Sequence, residues 1–375
     1  MKNLQLLDLY SDYLLSSFTL TTAVGLSALL DRGYSHDQIS RFLAQKKLLP
    51  KDFWKSVKAL IRKIENENGV LVVDDTIEEK PYTTENAIVC WHWDHSKERN
   101  IKGINIINFL YSSENENGVE VNLPLSYEII EKTEQYYDTK SQKVKRRSAV
   151  TKNELVRERL RTIVQLNRVK FKYITWDSWF SSSENIEYVH HTLGKKFVAA
   201  IKSNRTIALS EKEKHQGKFR RVDGLELETN RIYNVWLKGV DFEVHLIKKV
   251  FINEDGSCGV SYLITNDIEL SFDQIRTIYK KRWNVEEFHK SLKQNASLEK
   301  SPTKYEVTQS NHIFASMIAY CKLEILKFKE LMNHFQLKSR LYICAIKAAF
   351  KELQNMKNAE SKVIPIEKTA ILCLA

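Results

Sequence analysis

From Ser271 to Ala296 the chain contains neither proline nor glycine, and Ser271 with Gln274 three residues later forms a capping box. The run predicts one unbroken helix of about six turns. At about 100° per residue, Tyr279, Arg282, Glu286 and Lys293 fall within roughly a 60° arc. Ile278, Val285, Phe288 and Leu292 fill the neighbouring arc. One edge must therefore be buried against another element. The edge beside it carries a phenol, two cations and a carboxylate, which in an ordinary helix is no more than a solvated flank with charge pairs.

Two upstream segments constrain what that helix packs on. GVLVVDD (69–75) and FKYITWD (171–177) are β-rich runs that end in aspartate. Strand alternation puts Asp75 on the face of Leu71 and Val73, and Asp74 on the face of Val70 and Val72. After Asp177, Ser181 to Ser183 read as a helix start, and KKFVAAIK (195–202) reads as the next strand. The order strand, aspartate, helix, strand belongs to an α/β fold. GINIINFLY (103–111) and GVEVNLPLSYEII (118–130) add two strands and complete a three-stranded meander. Between the first two strands lies CWHWDHSK, with His92, Asp94 and His95. Its spacing fits no standard zinc pattern, and it reads as a polar loop.

The remaining segments frame this core. Residues 1 to about 65 are helical throughout, with a second capping box at Ser35 and Gln38 and with Pro50 opening a further helix. Residues 140–152 hold Lys140, Lys143, Lys145, Arg146, Arg147 and Lys152 with almost no acid, which suits a solvated loop and a phosphate-contacting one equally. A helix follows at roughly 151–167. Between 205 and 266, short alternating runs separated by Gly, Asp and Asn turns predict antiparallel strands, including Trp236. Residues 304–330 and 336–357 are two more helices.

With 375 residues and 43% hydrophobic content the chain can bury a sizeable core. A net charge of +11 favours a polyanionic partner, nucleic acid first among them. Five scattered cysteines without a CxxC pair suggest a reducing compartment rather than a disulfide framework. Asp8 and Asp12 interrupt the amino-terminal apolar pattern, unlike a signal peptide, and no run approaches the length of a membrane span. A cytoplasmic protein with no membrane partner is expected.

The spacing Tyr279-x2-Arg282-x3-Glu286-x6-Lys293 resembles the helix motif of DDE transposases of bacterial insertion sequences, in the insertion-sequence-four group. Asp75-Thr76 resembles that family's first motif and Asp177-Ser-Trp-Phe its second. The resemblance covers roughly residues 70–330 and implies an RNase H-like catalytic core with an antiparallel β insertion. The implied arrangement is a helical DNA-binding domain at 1–65, the first part of the core at 68–204 and the β-rich insertion at 205–266. The catalytic helix and the helix after it follow at 267–330, and a carboxy-terminal helical region at 331–375.

By the same resemblance, Asp75, Asp177 and Glu286 are catalytic and hold two Mg²⁺ (or Mn²⁺) ions about 3.5–4 Å apart. Hard cations of this kind favour carboxylate oxygens. Tyr279, Arg282 and Lys293, with Lys290 as a weaker candidate, would contact DNA phosphates, and Trp236 would meet a flipped base. The implied partners are double-stranded DNA, as the element's terminal inverted repeats and as target, and a second copy of the chain in a nucleoid-associated synaptic complex. The reaction would be strand cleavage at the element's ends and transfer of the freed 3′-hydroxyl to target DNA. A structure-specific nuclease of RNase H type, a non-catalytic DNA-binding descendant and a helical scaffold with incidental charge are the alternatives.

Overall fold

The computed structural model describes residues 2–94, 97–114, 118–252 and 256–358. Four helices open the chain: α1 (Lys2–Ser16), α2 (Ala23–Leu29), α3 (His36–Ala44) and α4 (Pro50–Ile64). Thr22 and Ser35 cap α2 and α3 through their side-chain oxygens, and Pro50 occupies the first turn of α4, where its missing N–H is harmless. Strands β1 (Val70–Glu79), β2 (Val89–Asp94), β3 (Arg99–Glu114) and β4 (Glu120–Ile129) follow, then a hairpin of β5 (Glu134–Asp138) and β6 (Lys143–Arg147). Next come α5 (Lys152–Arg161), β7 (Tyr173–Trp176), α6 (Ser183–Glu187) and β8 (Lys196–Ile201). Strand β9 (Thr206–Ala208), helix α7 (Glu211–His215) and strands β10 (Arg220–Arg221), β11 (Ile232–Leu237), β12 (Val244–Ile252) and β13 (Cys258–Thr265) lead to the last four helices. These are α8 (Phe272–Lys280), α9 (Trp283–Gln294), α10 (Glu306–Glu330) and α11 (His334–Asn358).

All the strands except the hairpin belong to one sheet, in the order β10-β9-β11-β12-β13-β8-β7-β1-β3-β2, with β4 also on β3. β1 runs antiparallel to β3 and parallel to β7, and β7 runs parallel to β8. β3 is long enough to share one edge between β2, along Arg99–Ile104, and β4, along Ile106–Glu114. Val70 to Val73 are buried on both faces, as strands covered by helices on either side must be.

The two faces are covered differently. Tyr127 of β4 stands opposite Asn108 of β3, and Asn108 stands opposite Asp74 of β1, so the three side chains share one face. That face receives α4 and α10, whose Phe53 and Phe314 pack edge-to-face, with Phe53 also against Tyr127. It receives α9 as well, through His289, whose Nε2 lies 2.9 Å from Nδ2 of Asn108. The other face, that of Glu128 and Asp75, takes α5 through an Arg159–Glu128 ion pair. Helices α1 and α3 reach the same apolar core by way of α10. The Tyr10 hydroxyl meets Nδ1 of His312 at 2.9 Å, while the Asn311 carboxamide donates to the carbonyls of Leu43 and Lys46 and accepts from the N–H of Leu48.

Four sequence expectations need correction. The basic run at 140–152, expected as a loop, holds strand β6 of the hairpin. Strands β9 and β11 to β13 are antiparallel as expected, but they are no separate module. β13 is hydrogen-bonded along β8, from Tyr262↔Ile201 to Thr265↔Val198, and so extends the central sheet. The physical reason is that β13 is buried from Tyr262 to Thr265 and can satisfy its backbone only by pairing there. The segment around Trp91 is an edge strand, β2, rather than a loop. It has Cys90 and His92 turned inward and Trp91 and Trp93 outward, while His95 lies outside the described residues. The expected six-turn helix is two helices, α8 and α9. At Lys281 to Val285 the N–H groups bond three residues back (Lys281 to Ile278, Arg282 to Tyr279, Asn284 to Lys281, Val285 to Arg282), and this tightened turn breaks the helical wheel.

Candidate active site

The carboxylates gather where β1 and β7 run side by side. The parallel register matches Val73 with Trp176, which sets Asp74 level with Asp177, the first residue after β7. Asp177 accepts the backbone N–H of Trp179 at 3.0 Å, a turn that fixes its carboxylate at the strand end. Asp75 points to the opposite face from Asp74. It accepts hydrogen bonds from Asn105 Nδ2 at 2.6 Å and from Lys152 Nζ, in the first turn of α5, at 2.8 Å.

The aspartates gathered here crowd one another. Burial and the neighbouring charges of Asp177 and Asp75 push the Asp74 carboxyl up to about 7. Burial also raises Asp177, with Asp75 contributing. Lys152 answers Asp75, and Arg282, with a side chain only 13% exposed, answers Asp74. One guanidinium nitrogen lies 3.6 Å from Asp74 and another 2.7 Å from Glu286. Tyr279 and Trp283 flank the guanidinium at 5.9 Å and 5.0 Å, and burial pushes the Tyr279 phenol up to about 12.

Asp74, Asp75 and Asp177 line a cleft of about 620 Å³. Its walls carry Lys97, Lys132, Lys152 and Lys293, and the exposed rings of Trp91, Trp93 and Trp179. Lysines 152 and 202 lie over the Trp179 ring at 5.8 Å and 5.1 Å. Lys293 donates to the carbonyl of Ile77 at 2.9 Å and faces Glu299 at 3.7 Å, so it is tied to β1 itself.

Not every expected residue comes to this place. Glu286 does not line the cleft, nor does Arg282, which links it to Asp74. Among the described residues the metal-type side chains whose ligand atoms all lie within 4.8 Å of one another are Glu187, His191 and Asp241, an exposed group elsewhere. Lys290 lies over the ring of Phe335, toward α11. Trp236 is half-buried in β11 opposite Ala208, with β12, β13, β8 and β7 between it and β1. Asp74, Asn105, Lys132 and Lys152 were not among the expected site residues. For Asp74 the available signal was its place in a strand-ending pair of aspartates. For Lys152 it was the capping box of Thr151 and Glu154, which fixes a helix start at the end of the basic run.

Adjacent parallel strands that end in aspartates, with an Arg- and Glu-bearing helix beside them and a lysine-lined cleft in front, are the elements of a carboxylate nuclease. The sequence comparisons agree. Residues 3–224 match the family described as DDE superfamily endonuclease, and residues 137–322 match the transposase DDE domain. The chain belongs to the DDE superfamily of endonucleases and is a DDE transposase. No curated protein matches it. Enzymes of this superfamily use divalent metal ions. The donor set fits such an ion: hard carboxylate oxygens of Asp74, Asp75 and Asp177 line one cleft, and burial, with neighbouring carboxylates, raises Asp74 and Asp177. No helix among the described residues is long and apolar enough to cross a membrane.

Proposed function

We propose that this chain cleaves DNA at the ends of an insertion sequence of the insertion-sequence-four group and transfers the freed 3′-hydroxyl to target DNA. The observation that carries the reading is that Asp74 and Asp177 stand level on adjacent parallel strands in a cleft lined by lysines, and that Arg282 joins Asp74 to Glu286 of α9. Asp75 and Asp177, which border the cleft, and Glu286 on α9 would hold two Mg²⁺ or Mn²⁺ ions. Such ions activate water and neutralise the leaving oxygen in phosphodiester cleavage. Asp74 acts as a positioning residue, anchoring Arg282 so that Glu286 is presented from α9 toward the sheet. Lys152 holds the Asp75 carboxylate in place, and Lys132 and Lys293 offer positive charge to the phosphates on either side of the bond that breaks. His289 is kept neutral by burial, which pushes it down to about 3, so it supports the sheet through Asn108 and carries no charge. The helices of residues 1–65 serve DNA binding in this reading, and two copies of the chain hold two element ends.

The test is incubation of the protein with Mg²⁺ and linear DNA carrying the element's terminal repeats. Nicks at the repeat boundary, lost in Glu286→Gln, are the expected result. Binding without nicking by the unaltered protein would favour a non-catalytic DNA-binding protein instead.

A further inference from the structure

A second groove of about 600 Å³ lies between β2 and the β5–β6 hairpin. Trp91 and Lys132 belong to its lining and to that of the aspartate cleft, so the two hollows meet at a common wall. The hairpin supplies the other side with Tyr136, Lys143 and Arg146, and Glu85 is the one carboxylate of the lining. The hairpin is a two-stranded sheet of its own. Lys145 is neutralised by Asp138. Lys132 and Arg146 instead donate to backbone carbonyls, those of Trp91 at 2.6 Å and of Lys132 at 3.4 Å. Among the described residues Lys132, Lys143 and Arg146 form no ion pair with a carboxylate.

The groove thus has cations in excess of acid and an aromatic ring on either side. A duplex turns its phosphates outward and hides the faces of its bases. An unpaired strand offers both, phosphates to the cations and base faces to the rings. We propose that this groove holds a few nucleotides of unpaired DNA strand as it passes Trp91 on leaving the aspartate cleft. The inference rests on the DNA-cleaving reading above and adds to it the form of the strand and its path.

The experiment compares, without metal and at low salt, binding to a short blunt duplex with binding to the same duplex carrying an unpaired extension of about six nucleotides, at the 3′ or the 5′ end. The unaltered protein should bind one extended duplex about tenfold more tightly than the blunt one, the gain expected from one stacked base. Tyr136→Ala, and the pair Lys143→Ala with Arg146→Ala, should reduce that preference below about threefold while blunt-duplex affinity stays within about twofold. In the lysine–arginine pair the salt slope for the extended duplex should fall by about 0.7 for each lost cation. Tyr136→Phe should keep the preference, which separates stacking from damage to the hairpin. Equal affinity of the unaltered protein for blunt and both extended duplexes, or a preference that survives in both variants, would overturn the proposal. Failure to bind any duplex would overturn the DNA reading beneath it as well.

Discussion

Arg282 divides its charge between two carboxylates that arrive by different routes, Asp74 from the sheet and Glu286 from α9. That geometry separates binding from chemistry. Glu286→Gln keeps the side chain's size and removes the charge a hard cation needs. Cleavage should fall by more than about a hundredfold while DNA affinity stays or rises slightly. Lys293→Ala should weaken binding instead, lowering the slope of log affinity against log salt by about 1. Arg282→Ala should lower cleavage as well, because it removes the group that presents Glu286. Asp74 and Asp75 are told apart in the same assay. Asp75→Asn should abolish cleavage, whereas Asp74→Asn, which frees Arg282 but leaves the proposed metal-holding carboxylates intact, should reduce it without abolishing it. Cleavage retained in Asp75→Asn and lost in Asp74→Asn would exchange the two roles.

At the scale of elements, the contact that tolerates least change is between β1 and β3. Gly103 stands opposite Glu79, and a Cβ placed there would come 2.2 Å from the Glu78 carbonyl oxygen. Gly103→Ala must push the two strands apart and should cost roughly 1–3 kcal/mol in a urea unfolding titration. Losing no stability would mean that the strands are looser than drawn. Elements such as these were largely legible in the sequence, because their signals are local. Capping boxes at Ser35 and Ser271 and the Pro50 start all lie where helices begin, and β7 and β8 follow their apolar runs. What eluded the sequence depends on partners distant in the chain. The break at Lys281 has no Pro or Gly to announce it. The strands after 205 look the same whether they fold on each other or onto β8. In the site, Asp177 and the Arg282–Glu286 pair were marked by strand end and helical spacing, but the contribution of Lys152 exists only once the first turn of α5 is brought against Asp75.

At the scale of the whole molecule, α1 and α3, made before β1, are knit to α10, made after β13, by buried polar groups. His312 of α10 is wholly enclosed between the Tyr10 hydroxyl and the carbonyls of Ser297 and Leu298, and burial pushes it down to about 4. In the unfolded chain an imidazole titrates near 6.5. Between these values the unfolded state binds the extra proton, so stability is complete above about 6.5 and is lost as pH falls through that window. The loss from this group is about 1.4 kcal/mol per pH unit. Unfolding midpoints measured at pH 7 and pH 5 should differ less in His312→Gln than in the unaltered protein, although the variant starts lower for want of its hydrogen bonds. An equal pH dependence in both would show that the imidazole is not sealed from protons.

The bond between Tyr10 and His312 spans a sequence separation of 302 residues. A ribosome adding residues at about 5–20 per second therefore leaves α1 without its partner for on the order of tens of seconds. Throughout that interval the apolar stripe of Leu6, Tyr10 and Leu14, fully covered in the finished protein, faces solvent or whatever else will take it. Chains arrested before Glu306 should be cut by protease within α1, and release of the full chain should close that site. Helix α1 is thus sheltered only after α10, whose His312 lies 302 residues beyond Tyr10, has been made.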